Sequence, residues 1–190
     1  MKMNSSNSSY PTVLFDTTVL CGAIRGEGIN RQLLKLVTQN LSYRVVISRV
    51  CLMEFIRNAT VDGIGGVTYP MEMGERFLDV FVYPVLENSP AVNSIVGRHH
   101  RKIVSRNEMK IGQALAEISG LSIIEAVRLA EEQGLQRPLR EYDLQDVHVW
   151  VTAIQEKCSY IVTSNTQRFP ELIGEIKRVK PGQFYNMMMD

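Results

Sequence analysis

Short apolar runs alternate with longer amphipathic stretches along most of this chain, and that alternation leaves few folds open. Thr12–Phe15 is a compact β-type run that ends at Asp16. Thr17 and Thr18 follow, and a threonine cap on a new helix accounts for the turn. Ile29–Leu41 carries Leu33, Leu34, Leu36 and Val37 at helical spacing. Tyr43–Ile47 is a second strand. Ser48 is a natural N-cap for a helix over Arg49–Ala59, with Val50 and Met53 inward together with Ile56 or Phe55. Tyr142–Pro170 repeats the pattern as YDLQDVHVWVTAIQEKCSYIVTSNTQRFP. It offers a helix face of Val149, Trp150, Ala153 and Ile154, a break at Glu156–Ser159, and a strand at Tyr160–Thr163. A short helix near Glu171–Gly174, a strand around Ile176–Val179 and a turn or helix from Pro181 through Phe184 end the pattern. The Met187–Met189 tail reads as fill or fraying. Strands alternating with helices predict an α/β fold with a mostly parallel sheet and helices on both faces.

The middle of the chain is less regular. Asp62–Gly66 is a glycine-rich loop. Tyr69–Leu86 reads as helix by its length, yet Val80–Val85 is β-prone and Pro84 limits a helix. Asn88-Ser89-Pro90 marks a turn. The most basic stretch follows, with Arg98, His99, His100, Arg101, Lys102, Arg106 and Lys110. Asn107–Ile118 reads as a helix. Ser122 and Glu125 have capping-box spacing and open another helix that runs to about Gln133. Arg137–Tyr142 is a linker. Residues 90–140 are thus expected to form a helical insert, and residues 1–9, rich in Ser and Asn, a disordered tail on a single domain over 10–190.

Composition narrows the function classes. A length of 190 residues suits one domain with a full core. The net charge of +1 points to no polyanion, so a nucleic-acid surface must be a local basic patch. Cys21, Cys51 and Cys158 are odd in number and scattered, which fits free thiols in a reducing compartment. The N-terminus has no apolar signal-peptide core, and the apolar run Phe77–Leu86 is too short to span a bilayer. The expectation is a cytoplasmic protein with no membrane partner.

The chemistry-bearing residues fall at element ends. Asp16 ends a strand, Glu54 sits in the second turn of a helix, Asp143 and Asp146 lie at a helix start, and Asn165 follows a strand in the polar cluster Thr163-Ser164-Asn165. Parallel strands bring their C-terminal ends to one rim, where Asp16 and Asn165 become neighbours. Converging carboxylates repel unless a cation neutralises them, and hard oxygen donors suit Mg²⁺ or Mn²⁺. Such an ion would suit phosphodiester hydrolysis. Each residue also has a plainer reading. Asp143 serves as a helix cap, Asp146 complements the positive helix end, Glu54 is a solvated surface residue, and Asn165 occupies a turn. His99 and His100 point about 100° apart on a helix and belong to a solvated basic face. His148 reads as structural, and Trp150 as core.

The same residues resemble a known family. LFDTTVL with Asp16, SRVCLMEFIRN with Glu54, DLQDVHVWVTAI with Asp146, YIVTSNTQRFP with Asn165 and the tail VKPGQFYNMM together resemble PIN-domain proteins, in the branch of toxin components of toxin–antitoxin pairs. The resemblance implies a three-layer α/β/α fold and cleavage of single-stranded RNA. It implies Mg²⁺ or Mn²⁺ held by Asp16, Glu54 and Asp146, with Asn165 as a further ligand. Asp143, Thr17 and Thr163 are the supporting residues. Arg98, Arg101 and Lys102 are candidates for holding RNA, and the expected protein partners are an antitoxin and a second copy of the chain in a dimer. Two positions depart from the family pattern: Asn165 replaces a common Asp, and Thr18 replaces a common Asn. The first motivates a rival reading, a PIN-fold RNA-binding protein without catalysis. A second rival is a haloacid-dehalogenase-like phosphatase built on Asp16, whose chemistry wants a second Asp where Thr18 stands.

Overall fold

The computed structural model describes residues 11–40, 43–87, 116, 122–132, 146–166, 169, 171–173 and 175–189. The expectations for the N-terminal tail, the basic run 98–110, the linker 137–142 and Asp143 lie outside these residues. So does the helix expected over 107–118, apart from residue 116.

Five strands form one sheet: β1 (Thr12–Phe15), β2 (Arg44–Val46), β3 (Tyr160–Val162), β4 (Leu172–Ile173) and β5 (Ile176–Val179). Their lateral order is β2-β1-β3-β5-β4. β1 runs parallel to both its neighbours, with Leu14 opposite Val46 on one side and Ile161 on the other. β5 is parallel to β3, and β4 pairs antiparallel to β5. Val13, Leu14 and Phe15 are all fully buried. A central parallel strand is covered on both faces, so its sequence is apolar throughout rather than alternating.

The chain leaves β1 through α1 (Thr17–Ile24) and α2 (Ile29–Asn40) to reach β2 on one side. From β2 it passes α3 (Arg49–Arg57), α4 (Met71–Phe77), α5 (Tyr83–Glu87), α6 (Ile123–Glu132) and α7 (Val147–Gln155), and enters β3 on the other side. Right-handed crossovers in opposite lateral directions place their helices on opposite faces of a sheet. Phe15 and Tyr160 lie on one face and both touch Phe184 of α8 (Pro181–Met189), which also packs on Tyr43 and on α2. Leu14 and Ile161, one residue along, point to the other face. There α7 packs on β1 and β3 with Val149, Trp150 and Ala153 buried. The result is a three-layer α/β/α arrangement.

Three sequence expectations change, and the helix expected over Tyr69–Leu86 forms with a π-helical turn. Where a short helix is expected near 171–174, Leu172 and Ile173 pair with Lys177 and Ile176 as a short hairpin strand. Tertiary pairing wins because two apolar residues cannot propagate a helix on their own. α3 buries Cys51 and Phe55, and Ala59 beyond it, while Met53 is 70% exposed and Val50 half-buried. Positions 51, 55 and 59 recur every four residues and define the inward stripe. Tyr69–Leu86 is helical from Met71, through a π-helical turn at Leu78–Val82, into α5. That wider turn shifts the hydrogen-bond register just before Pro84, whose missing N–H a regular helix would not tolerate. Met187–Met189 lie within α8 rather than fraying, because buried Phe184 anchors the helix. The capping box forms as expected: Glu125 N–H donates to Ser122 Oγ at 3.2 Å, and Glu125 Oε2 accepts from Ser122 N–H at 3.0 Å. Among the described residues, no helix is long and apolar enough to cross a membrane. Cys21, Cys51 and Cys158 are free thiols.

Candidate active site

The chain moves from β1 to β2 in one direction and returns to β3 on the other side of β1. This is a switch point, and ligands of open α/β sheets bind in the crevice beyond the carboxyl ends of such strands. Asp16 directly follows β1, and Thr163, Ser164 and Asn165 directly follow β3.

Asp16 is the N-cap of α1, a role assigned to threonine by the sequence reading. Its Oδ1 accepts from the Thr17 backbone N–H at 2.7 Å. Its Oδ2 accepts from the Thr18 hydroxyl at 2.8 Å, the Thr163 hydroxyl at 2.7 Å and, more weakly, the Thr18 N–H at 3.4 Å. Asp16 is 3% exposed, and an ionised carboxylate buried this deeply needs several donors. The same two hydroxyls bridge to the next loop. Thr18 Oγ1 accepts from Ser164 N–H at 2.9 Å, and Thr163 Oγ1 accepts from Asn165 N–H at 3.0 Å. Thr18 thus holds both Asp16 and the loop after β3.

Glu54 reaches the crevice from α3. Ser48, fully buried, caps that helix by accepting from Cys51 N–H at 3.1 Å. Glu54 Oε2 accepts from the Thr17 hydroxyl at 2.8 Å, and Oε1 lies 3.2 Å from His148 Nε2. His148 is 1% exposed, in the first turn of α7. Burial works against its charge, but hydrogen bonding to Cys51 and Glu54 outweighs it and raises the imidazole pKa to about 10. His148, expected to be structural, is buried and meets Glu54. The available signal was a polar residue on an otherwise apolar helix face, two positions beyond Asp146.

Asp146 stands at the N-cap position of α7, yet its side chain makes no capping hydrogen bond. Its Oδ2 instead accepts from Asn165 Nδ2 at 2.7 Å. An aspartate at 165 could not donate this bond while ionised. Trp150 is fully buried and meets Phe169 edge-on at 5.6 Å between ring centroids, so it offers no face for stacking on a base.

Asp16, Glu54, Asp146 and Asn165 line one open cleft of about 1080 Å³, together with Arg25 and Arg57. Gly63 and Gly65 line it as well, in a turn with φ of +85° and +62° that L side chains rarely adopt. The donor chemistry fits a hard divalent ion: three carboxylates and an amide oxygen, with Cys21 the one thiol among the described residues that line the cleft. In the arrangement described, Glu54 is turned to Thr17 and His148, and Asp146 to Asn165. Among the described residues, no three His, Cys, Asp or Glu side chains are grouped closely enough to hold one ion. Sharing an ion would therefore take side-chain movement. Asp143, Arg98, Arg101 and Lys102 lie outside the described residues.

No family model matches the chain, and no curated protein matches it. Among solved structures, the chain is similar to VapBC2 from Rickettsia felis bound to a DNA fragment from their promoter. That alignment has 16% identity and a TM-score of 0.47, and it covers 89% of this chain and 98% of the other. It is also similar to FitAB bound to an IR36 DNA fragment, at 15% identity and a TM-score of 0.46, covering 89% of this chain and 94% of the other.

Proposed function

We propose that this protein is a metal-dependent endoribonuclease of the PIN type, hydrolysing phosphodiesters of single-stranded RNA in the cytoplasm as the toxin of a toxin–antitoxin pair. The observation that carries this reading is convergence. Asp16, Glu54, Asp146 and Asn165 come from four separate segments and line one cleft at the sheet's switch point. Asp16, Glu54 and Asp146 would hold Mg²⁺ or Mn²⁺, with the Asn165 amide oxygen as a neutral donor and Asp143 in support. When bound, the ion supplies Lewis-acid polarisation of a phosphoryl oxygen and lowers the pKa of water. The chain's own residues do the rest. Thr18 and Thr163 orient Asp16 and Thr17 orients Glu54, while Glu54 and Asp146 would have to turn toward a shared ion. Arg25 and Arg57 line the same cleft and can hold RNA phosphates, and Arg98, Arg101 and Lys102 would extend that surface. An antitoxin and a second copy of the chain are the proposed protein partners.

A second reading, RNA binding without cleavage, is favoured by one observation: Glu54 and Asp146 already engage His148 and Asn165. The phosphatase reading is not supported by the geometry. That chemistry wants a second Asp two residues after Asp16, and Thr18 stands there, donating its hydroxyl to Asp16.

The deciding experiment incubates purified protein with unstructured RNA and Mn²⁺. Wild type is expected to cleave. Asp146→Asn and Asp16→Asn are expected to lose on the order of 100-fold or more in rate, with circular dichroism unchanged. Equal cleavage by wild type and Asp16→Asn would sink the nuclease reading. RNA binding that survives EDTA, with no cleavage, would establish the second.

A further inference from the structure

We propose that Arg25 holds a phosphate of an RNA strand in the cleft, with its guanidinium seated on the turn around Gly65. The inference rests on the reading above that RNA occupies this cleft, and it names the residue that offsets the charge of the strand. Asp16, Glu54, Asp62 and Asp146 line the cleft, and carboxylates facing one space repel a polyanion unless cations offset them. Among the described residues, the cations lining it are Arg25 and Arg57. Arg57 already serves an acid, with its Nε 3.0 Å from Asp62 Oδ2. Arg25 closes α1, is exposed, and makes no hydrogen bond or ion pair among the described residues. Its guanidinium is nonetheless placed. A carbon built at the Cβ position of Gly65 would lie 3.2 Å from Arg25 Cζ, 3.3 Å from Nη2 and 3.5 Å from Nε. Cζ, the centre of the planar group, is the nearest of the three, so Gly65 covers the face of the plane and not its edge. Guanidinium N–H bonds lie in that plane, so the contact occupies none of the five donors. The turn is itself fixed: Ile64 and Val67 exchange backbone hydrogen bonds of 2.8 and 3.3 Å, and Ile64 is buried. A planar donor fork seated on a fixed turn loses little freedom on binding, and its paired N–H groups match two oxygens of a phosphate.

The test measures binding of fluorescently labelled oligouridylate to purified full-length protein by anisotropy, in EDTA and again in Ca²⁺, across a series of salt concentrations. Wild type, Arg25→Ala and Gly65→Asn are compared. Arg25→Ala should bind about tenfold more weakly at low salt. The slope of log affinity against log salt should fall by about 0.7, the share of one phosphate contact on a single strand. Because Arg25 is exposed, the variant should fold as wild type does, which circular dichroism checks. Gly65→Asn supplies a residue that tolerates positive φ and sets a Cβ against the guanidinium. It should also bind more weakly, although Arg25 is still present. Unchanged affinity and slope in Arg25→Ala overturn the proposal and leave the RNA reading standing. A loss of affinity with the slope unchanged assigns Arg25 to stacking on a base and overturns it as well. Wild-type affinity in Gly65→Asn overturns the placing role of the turn. Absence of RNA binding by wild type in both conditions overturns the proposal together with the reading it rests on.

Discussion

Thr163 does more for the cleft than its type would suggest. It is fully buried, donates to Asp16 and accepts from the Asn165 backbone, so one hydroxyl joins two candidate ligands. Thr163→Val keeps the shape and removes both bonds. It should cost about 2 kcal/mol, since a hydrogen bond to a charged group contributes roughly 1.5–3 kcal/mol. Urea denaturation measures this, and a loss under about 0.5 kcal/mol would count against the network. Asn165 makes a different prediction. Asn165→Asp replaces the amide donor 2.7 Å from Asp146 with a second carboxylate. The variant should be less stable by about 1–2 kcal/mol without a divalent ion, because like charges at that distance resist ionising together. Saturating Mg²⁺ should restore the loss by binding the folded state. Thermal midpoints with and without Mg²⁺ check both halves, and a variant indifferent to Mg²⁺ would argue against an ion between these two residues.

At the scale of elements, α3 matters most because it carries Glu54. Its start is set by Ser48, a fully buried cap bonded to Cys51 N–H. Ser48→Ala should cost about 1–2 kcal/mol. The urea slope should be unchanged if the loss is confined to the native helix end. The inward face of α3 was misassigned from sequence for a physical reason. Val50, Cys51, Met53, Phe55 and Ile56 are all apolar, so periodicity alone admits two overlapping faces, and packing against α1 selects the one containing Cys51 and Phe55. The hairpin strand β4 was misread for a similar reason: Leu172–Ile173 has little local preference, and β5 supplies the partner.

Across the whole molecule, Phe184 ties the C-terminal helix to the central sheet. It is fully buried against Phe15, Tyr43 and Tyr160, with Tyr43 at 5.0 Å between centroids. Phe184→Ala should cost about 3–5 kcal/mol, whereas Met187→Ala on the exposed side of the same helix should stay within about 0.5 kcal/mol. Chemical denaturation of the two variants compares them. Burial also sets an alkaline limit. It raises the thiol of Cys158 to about 12 and that of Cys21 to about 11, and it raises the Tyr43 phenol above its ordinary value. These groups stay neutral in the folded protein at pH values where the unfolded chain ionises them. Stability from this source is intact below the ordinary thiol range near pH 9 and falls as pH rises from there through the folded values. Denaturation midpoints across pH 8–11 should decline, and a flat profile would contradict the burial of these groups.

Sequence alone determined the elements whose signals are local. β1, β2, β3 and β5, the amphipathic α2, the Ser48 cap and the Ser122–Glu125 box were legible because side-chain period and capping chemistry act within a few residues. It also put Asp16 and Asn165 at strand ends, and a parallel sheet with one chain reversal makes those ends neighbours. Only the tertiary structure decided what each acid touches. Asp16 caps its own helix, Asp146 leaves its cap position to accept from Asn165, and Glu54 meets the buried His148. No local pattern encodes the contacts of Asp146 and Glu54. Apart from the Asp16 cap, the contacts join segments separated in the chain, and the order of strands in the sheet brings those segments together.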